Sequence, residues 1–273
     1  MIPVLKRALT AIVGVPLVIC LFTVAPGWLG RHGVWLVVGV VMLVAGIGAW
    51  ELTTLFLRAG RPVHRGLATV LAVLVTASFV DPTTPIRIMT VALAFTLAVP
   101  LLQPSRASFE PSAYTLLAIA YLGWPLGHAL RLYALPGGPW LLVYVLLVTW
   151  AGETAAYVFG SLLGRTPLAP QISPRKTLEG AVAQIGLSAI VAIVLSPWVV
   201  PGWSLSTALG AGLVLGVVGQ VGDLVESVIK RTMGAKDAGT LFPGHGGMLD
   251  RIDSLLFNVP AFFYYAAVVG VRA

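Results

Sequence analysis

The sequence predicts an all-α fold, a polytopic helical integral membrane protein with about nine transmembrane helices. Three observations carry that reading. Mean hydropathy is +0.95, and 58% of the 273 residues are hydrophobic while only 10% are charged, outside the range of an ordinary soluble domain. Apolar runs of about 18 to 22 residues recur along the chain, each bounded by Gly, Pro or Arg, and roughly 20 residues of helix cross a bilayer. Lysine and arginine also divide unequally between alternate loops once those runs are counted.

The first run, near 9–25, follows Lys6-Arg7; a signal peptide cleaved near Ala25 would look similar, but a retained helix also explains the charge distribution. The second, 33–57, carries Glu51 seven residues before Arg58, where an ion pair or a headgroup contact is expected. The third, 67–80, is short, and the fourth covers 86–102. In the fifth, 113–134, the segment Gly-Trp-Pro-Leu-Gly-His should kink the helix and leave His128 packed and hydrogen-bonded. The sixth, 139–164, holds Glu153 at membrane depth.

Before the seventh run, 178–197, Ser173-Pro174 suits an N-cap and first helical position, which puts Lys176 in the first turn, where anions are favoured. The eighth, 204–229, is longer than a bilayer requires. Its glycines Gly210, Gly212, Gly216, Gly219 and Gly222 allow close helix approach, and Asp223, Glu226, Ser227, Lys230 and Arg231 then share one helix face. The ninth, 254–271, begins just after Asp250 and Asp253.

With nine spans and a cytoplasmic N-terminus, thirteen of the seventeen Lys and Arg residues fall on the cytoplasmic side, and only Arg31, Arg87, Arg131 and Arg272 on the other. The net charge of +7 is dispersed over several cytoplasmic loops, which suits anionic lipid headgroups and requires no nucleic acid. Cys20 is the single cysteine, so no intrachain disulfide or cysteine metal site is available. The chain reads as one integrated membrane domain. Residues 1–137 form scaffold and dimer surface, and 138–273 form the catalytic helices with their cytoplasmic loops. Gly-rich helices suit a homodimer.

Chemistry concentrates late in the chain. Five of the ten acids, Asp223, Glu226, Asp237, Asp250 and Asp253, lie between 223 and 253. A carboxylate in hydrocarbon needs a cation, a buried partner or a polar cavity, so Asp223 requires one of these, and a salt bridge from Asp223 or Glu226 to Lys230 is the plain reading. Asp250 and Asp253 at a helix start read as an N-cap or, with Asp223, as a hard-cation site. Gly244-His245-Gly246-Gly247 reads as a plain turn or as a nest of backbone N–H groups for phosphate. Lys176, Lys230, Arg231 and Lys236 are the cations able to hold phosphate oxygens.

Residues 227–253 resemble the signature of the phosphatidate cytidylyltransferases (CDP-diacylglycerol synthases). Ser227, Lys230-Arg231, Lys236-Asp237, Gly239, Pro243, His245-Gly246-Gly247, Asp250-Arg251 and Asp253 all stand at its fixed positions. The Gly222-Asp223-Leu224 lead-in and Ser173-Pro-x-Lys176-Thr177-x-Glu179-Gly180 are also similar to that family. Glu153-Thr-Ala-Ala-Tyr157 departs from it, because the family usually has Asp-Thr-Gly-Ala-Tyr there. The resemblance implies transfer of CMP from CTP to phosphatidic acid, giving CDP-diacylglycerol and pyrophosphate, with Mg²⁺ and room for a second ion. It further implies a cell-membrane enzyme of phospholipid biosynthesis whose site faces the cytoplasm. On this footing Asp223, Asp250 and Asp253 are the expected metal ligands, and Asp223, Asp250, Lys230, Arg231 and Lys236 the catalytic set. Ser173, Lys176, Ser227, His245, Gly246, Gly247, Arg251 and Glu153 are expected to bind substrate. A CTP-dependent polyprenol kinase or ether-lipid cytidylyltransferase is the alternative of like chemistry. A transporter is the alternative of another class, and it leaves the Lys/Arg, His-Gly-Gly and Asp cluster unexplained.

Overall fold

The computed structural model describes residues 14, 16–102, 108–239 and 246–270. Nine helices run through the described residues: α1 (Pro16–Trp28), α2 (Gly33–Arg58), α3 (Arg65–Ser78), α4 (Pro85–Leu102), α5 (110–133), α6 (Gly138–Leu163), α7 (Leu178–Val199), α8 (Leu205–Thr232) and α9 (Leu249–Val268). By length and composition α2, α4, α6, α7 and α8 are each able to cross a membrane. Apolar side chains such as Ile86, Val91 and Phe95 of α4 and Val182, Ile190 and Val194 of α7 are exposed, as lipid-facing helix surfaces require.

Local sequence sets the helix ends. Pro85 opens α4 at a position whose N–H has no intrahelical partner, and Gly137, with φ 70°, precedes Pro139 at the start of α6. Ser204 caps α8 by accepting the Thr207 N–H at 3.1 Å. The expected break in α5 takes the form of a π-turn over Ile119–Gly123, just before Pro125, whose ring cannot fit a regular α-turn. A side chain on Gly123 would meet the Ala72 carbonyl at 2.9 Å, so α5 and α3 touch backbone to backbone there. His128 is buried as expected, with Nδ1 on the Trp124 carbonyl (2.9 Å) and Nε2 on the Tyr264 hydroxyl (3.1 Å).

Helices α6, α7, α8 and α9 pack in sequential order, α2 packs on α3, and α5 joins the two groups by lying against α9. Glycine makes the close contacts. A Cβ on Gly212 or Gly216 would lie 2.5 and 2.8 Å from the α7 backbone at Ala189 and Ile185, and one on Gly222 2.7 Å from the Asp253 carbonyl of α9. A buried polar link, Asn258 to Thr149 at 2.8 Å, ties α9 to α6.

One element departs from the helical expectation. Residues Ser173–Thr177 form a strand, β2, paired antiparallel with β1 (Pro167–Ala169). The N-cap of α7 is therefore Thr177, whose hydroxyl accepts the Gly180 N–H at 3.2 Å. Ser173 is no cap, and Lys176 lies on the hairpin rather than in a helical turn. The carboxylate of Glu179 accepts the N–H groups of Arg165 (3.1 Å) and Thr166 (3.2 Å), which fastens the hairpin to α7.

Candidate active site

The C-terminal ends of α2, α6 and α8, the N-terminal end of α9 and the hairpin meet at one end of the bundle. Arg231, on the last turn of α8, donates through Nε to the Ile172 carbonyl in the hairpin turn (3.1 Å) and through a terminal nitrogen to the Ala235 carbonyl (2.9 Å). Both are backbone contacts, so Arg231 braces the loop that leaves α8.

At this junction the side-chain oxygens of Asp223, Glu226 and Asp253 lie within 4.8 Å of one another. The absence of a side chain at Gly222 lets α9 come close enough for Asp253 to face α8. Two carboxylates at that separation repel by roughly 3 kcal/mol in surroundings of effective dielectric about 20. Counter-charges are present. Lys176 reaches from β2 to the Asp223 carboxylate at 2.8 Å, and Lys230 pairs with Glu226 one turn away on α8. Glu226 is fully buried. Glu153 of α6 is within electrostatic reach of Asp223, Arg251 and Lys176. Five carboxylates, counting Asp250, thus share this end of the molecule with the cations Arg175, Lys176, Lys230, Arg231 and Arg251. Three oxygen donors from two helices make a hard donor set of the kind divalent ions take. The cluster can hold a metal ion.

Asp250, expected among the ligands, is placed differently. It accepts from Lys230 Nζ (2.7 Å) and from the backbone N–H groups of Gly247 (2.7 Å) and Ala238 (3.1 Å). Those contacts engage its oxygens with Lys230, which it shares with Glu226, and with the backbone at the start of α9. It stands one residue inside α9, after Leu249, and reaches back over the helix start. Gly246 has φ 80°, and a Cβ there would lie 2.6 Å from an Asp250 oxygen, so both backbone and space call for glycine. The trio therefore contains Glu226, which the sequence reading held as a salt-bridge residue. The salt bridge to Lys230 exists as well.

A cavity of about 510 Å³ adjoins the trio. Glu153, Tyr157, Arg175, Lys176, Gln220 and Asp223 are among the side chains that line it. Gly160 and Gly180 face each other across its floor, where a Cβ on Gly180 would meet the Gly160 Cα at 3.2 Å. Of the other expected site residues, Ser173 is half-buried on β2, Ser227 is buried on α8, and Lys236 and Arg251 are exposed. His245, with Pro243, lies outside the described residues, as do Lys6, Arg7, Arg106 and Arg272.

Glu51 was missed as a participant. No Glu51–Arg58 ion pair forms; instead Glu51 is buried and accepts the Leu249 N–H of α9 at 2.9 Å. An acid well inside an apolar run, away from its helix end, was the available signal: such a group needs a buried partner.

A sequence model described as the cytidylyltransferase family matches residues 5–269. The chain is 42% identical over 168 residues to a protein of Escherichia coli K12 named "Uncharacterized protein YnbB", covering 57% of this chain and 56% of that one. It is 39% identical over 171 residues to the phosphatidate cytidylyltransferase of Staphylococcus aureus strain COL. With the enzyme of the same name from Staphylococcus haemolyticus it shares 40% over 171 residues, and in both pairs the match covers 62% of this chain and 65% of the relative. The chain thus spans 56 to 65% of the length of these relatives.

Proposed function

The chain belongs to the cytidylyltransferase family, and from that membership and the geometry of its acidic site we propose that it transfers CMP from CTP to phosphatidic acid. The products are CDP-diacylglycerol and pyrophosphate. The observation that carries this reading is the Asp223–Glu226–Asp253 trio beside a cavity lined by Lys176 and Arg175. That is a place for a cation next to a place for phosphates.

A phosphate oxygen of phosphatidic acid attacks the α-phosphorus of CTP, the new P–O bond forms in line with the breaking one, and pyrophosphate departs. The attacking phosphate is ionised near neutral pH, so no general base is required. Catalysis then rests on positioning and on compensating charge. Asp223, Glu226 and Asp253 would hold the divalent ion, Mg²⁺ being the reading for a phosphate substrate and an all-oxygen donor set. When bound, the ion supplies charge neutralisation to the phosphates. Lys176, already beside Asp223, moves its contact to a phosphate oxygen. Arg175 offers a second cation from the same strand. Asp250 orders the Gly246-Gly247 backbone and holds Lys230, while Arg231 holds the loop against the hairpin. Glu153 faces the cavity where the family's shorter Asp usually stands.

The bilayer explains why the site sits on helices. The acyl chains of one substrate remain in lipid while its headgroup enters the cavity. The basic residues Arg58, Arg61, Arg65, Arg165, Arg175, Lys176, Lys230 and Arg231 cluster at the end of the bundle that bears the site, which supports a cytoplasmic orientation. The two halves work as one domain, and a homodimer fits the exposed apolar helices. Protein purified in detergent and given CTP, phosphatidate and Mg²⁺ tests the reading. Lipid-linked CMP and pyrophosphate should form and EDTA should stop them; folded protein that forms neither product overturns it.

A further inference from the structure

Glu51 lies on α2, in the half of the chain remote from the acidic trio, yet its side chain ends against the segment that carries the trio's third member. Its carboxylate accepts the N–H of Leu249, 198 residues away and the first residue of α9. The same carboxylate occupies the space a side chain would need at two glycines on either side of that loop. A Cβ on Gly239 would lie 2.5 Å from Oε1, and one on Gly247 would collide with Oε2. The position is rigid, because Leu52 and Phe56 on the same helix are fully buried and so is Leu249 itself. A carboxylate at a helix N-terminus satisfies a donor that has no partner within the helix and complements the helix dipole.

We propose that Glu51 is a positioning residue for the metal-binding carboxylates: from α2 it clamps the start of α9 and the 238–239 segment, and so sets where Asp253 stands relative to Asp223 and Glu226. Asp253 follows Leu249 by four residues, one helical turn, so it shares the face of α9 that Leu249 begins. Ala238, next to Gly239, donates to Asp250 at 3.1 Å, so the clamped segment is also tied to the first turn of α9. Releasing Leu249 lets that turn fray and moves Asp253 with it. This inference rests on the trio being the metal site of the proposed enzyme.

The test uses the full-length protein in detergent and Mn²⁺ alone, with binding read from the paramagnetic resonance of the free ion. Glu51→Ala should weaken Mn²⁺ binding by about tenfold or more, as loss of a group that orients metal ligands does. Glu51→Gln should restore most of it, because its amide oxygen still accepts the Leu249 N–H. Gly239 has no positive φ, and the three atoms nearest an added Cβ all belong to Glu51. Gly239→Ala should therefore weaken binding in the native background and cost less when combined with Glu51→Ala, which makes room for the methyl. Unchanged Mn²⁺ affinity in Glu51→Ala, or an equal penalty from Gly239→Ala in both backgrounds, overturns the proposal. If Glu51→Ala does not accumulate folded, Gly239→Ala decides alone, and unchanged affinity there overturns it. Wild-type protein that binds Mn²⁺ but makes no lipid-linked CMP refutes the proposed reaction and leaves this inference standing; wild-type protein that binds no Mn²⁺ refutes the metal site and this inference with it.

Discussion

The Lys176 ammonium stands 2.8 Å from the Asp223 carboxylate, although the two residues lie on different elements, a hairpin strand and a transmembrane helix. Both line the cavity beside the acidic trio, so the pair lies between the proposed cation site and the proposed phosphate site. Lys176 offsets part of the trio's repulsion, and in the proposed reaction it is a charge that can turn to a phosphate.

That double role predicts a specific kinetic signature. Lys176→Met should raise the KM for CTP by about tenfold, the equivalent of one charge-assisted hydrogen bond. Because the pair is partly exposed, its loss should change the melting temperature little. Steady-state kinetics in detergent check this; an unchanged KM would assign Lys176 to the surface.

The trio and Asp250 should separate by phenotype. Asp223→Asn, Glu226→Gln and Asp253→Asn should each cut turnover by at least about a hundredfold, because the charge that holds the cation is reduced by one unit. Asp250→Ala should instead lose roughly 2 kcal/mol of stability, since it leaves the Gly247 and Ala238 N–H groups without an acceptor and Lys230 with Glu226 alone. Turnover and thermal melting measured on all four variants make the comparison. If Asp250→Ala melts normally, Asp250 does not organise the loop.

This division was only partly legible in the sequence. Helix boundaries were legible because apolar run length, glycine and proline mark them directly: the runs at 139–164 and 178–197 correspond to Gly138–Leu163 and Leu178–Val199. The i, i+3 spacing of Asp223 and Glu226 placed both on one face of α8. Spacing says nothing of which acid on another helix completes the set, since that depends on the rotation of α9 against α8 at Gly222. The hairpin was hidden because strands of three and five residues with a proline in each leave no periodicity to read. Glu51 was hidden because its partner is a backbone N–H 198 residues away.

Glu153 stands, with Ala155, where the chain departs from the family's usual Asp-Thr-Gly-Ala-Tyr. It faces the cavity beside Asp223, so Glu153→Asp should keep turnover within a few-fold while Glu153→Ala loses about tenfold, the equivalent of ~1.5 kcal/mol for one hydrogen bond to a charged group. The relative rates of the two variants under saturating CTP decide between them. Equal rates in wild type and the Ala variant would make Glu153 a structural residue.

Close helix approach is itself testable at Gly222. A methyl there would lie 2.7 Å from the Asp253 carbonyl, so Gly222→Ala should push α9 away at a cost of about 1–3 kcal/mol. Turnover should fall further than stability, because the trio spans that contact. Gly186, inside α7 and with nothing within 4 Å of an added Cβ, is the control: Gly186→Ala should leave turnover unchanged and should not lower stability.

The central claim is that CMP, and not the terminal phosphate of CTP, is what reaches the lipid. Purified protein is supplied with phosphatidate, Mg²⁺ and CTP labelled at either the α- or the γ-phosphorus, and the label is followed into lipid and into pyrophosphate. The α-label should enter the lipid and the γ-label pyrophosphate; γ-label in the lipid would instead mark the protein as a CTP-dependent lipid kinase.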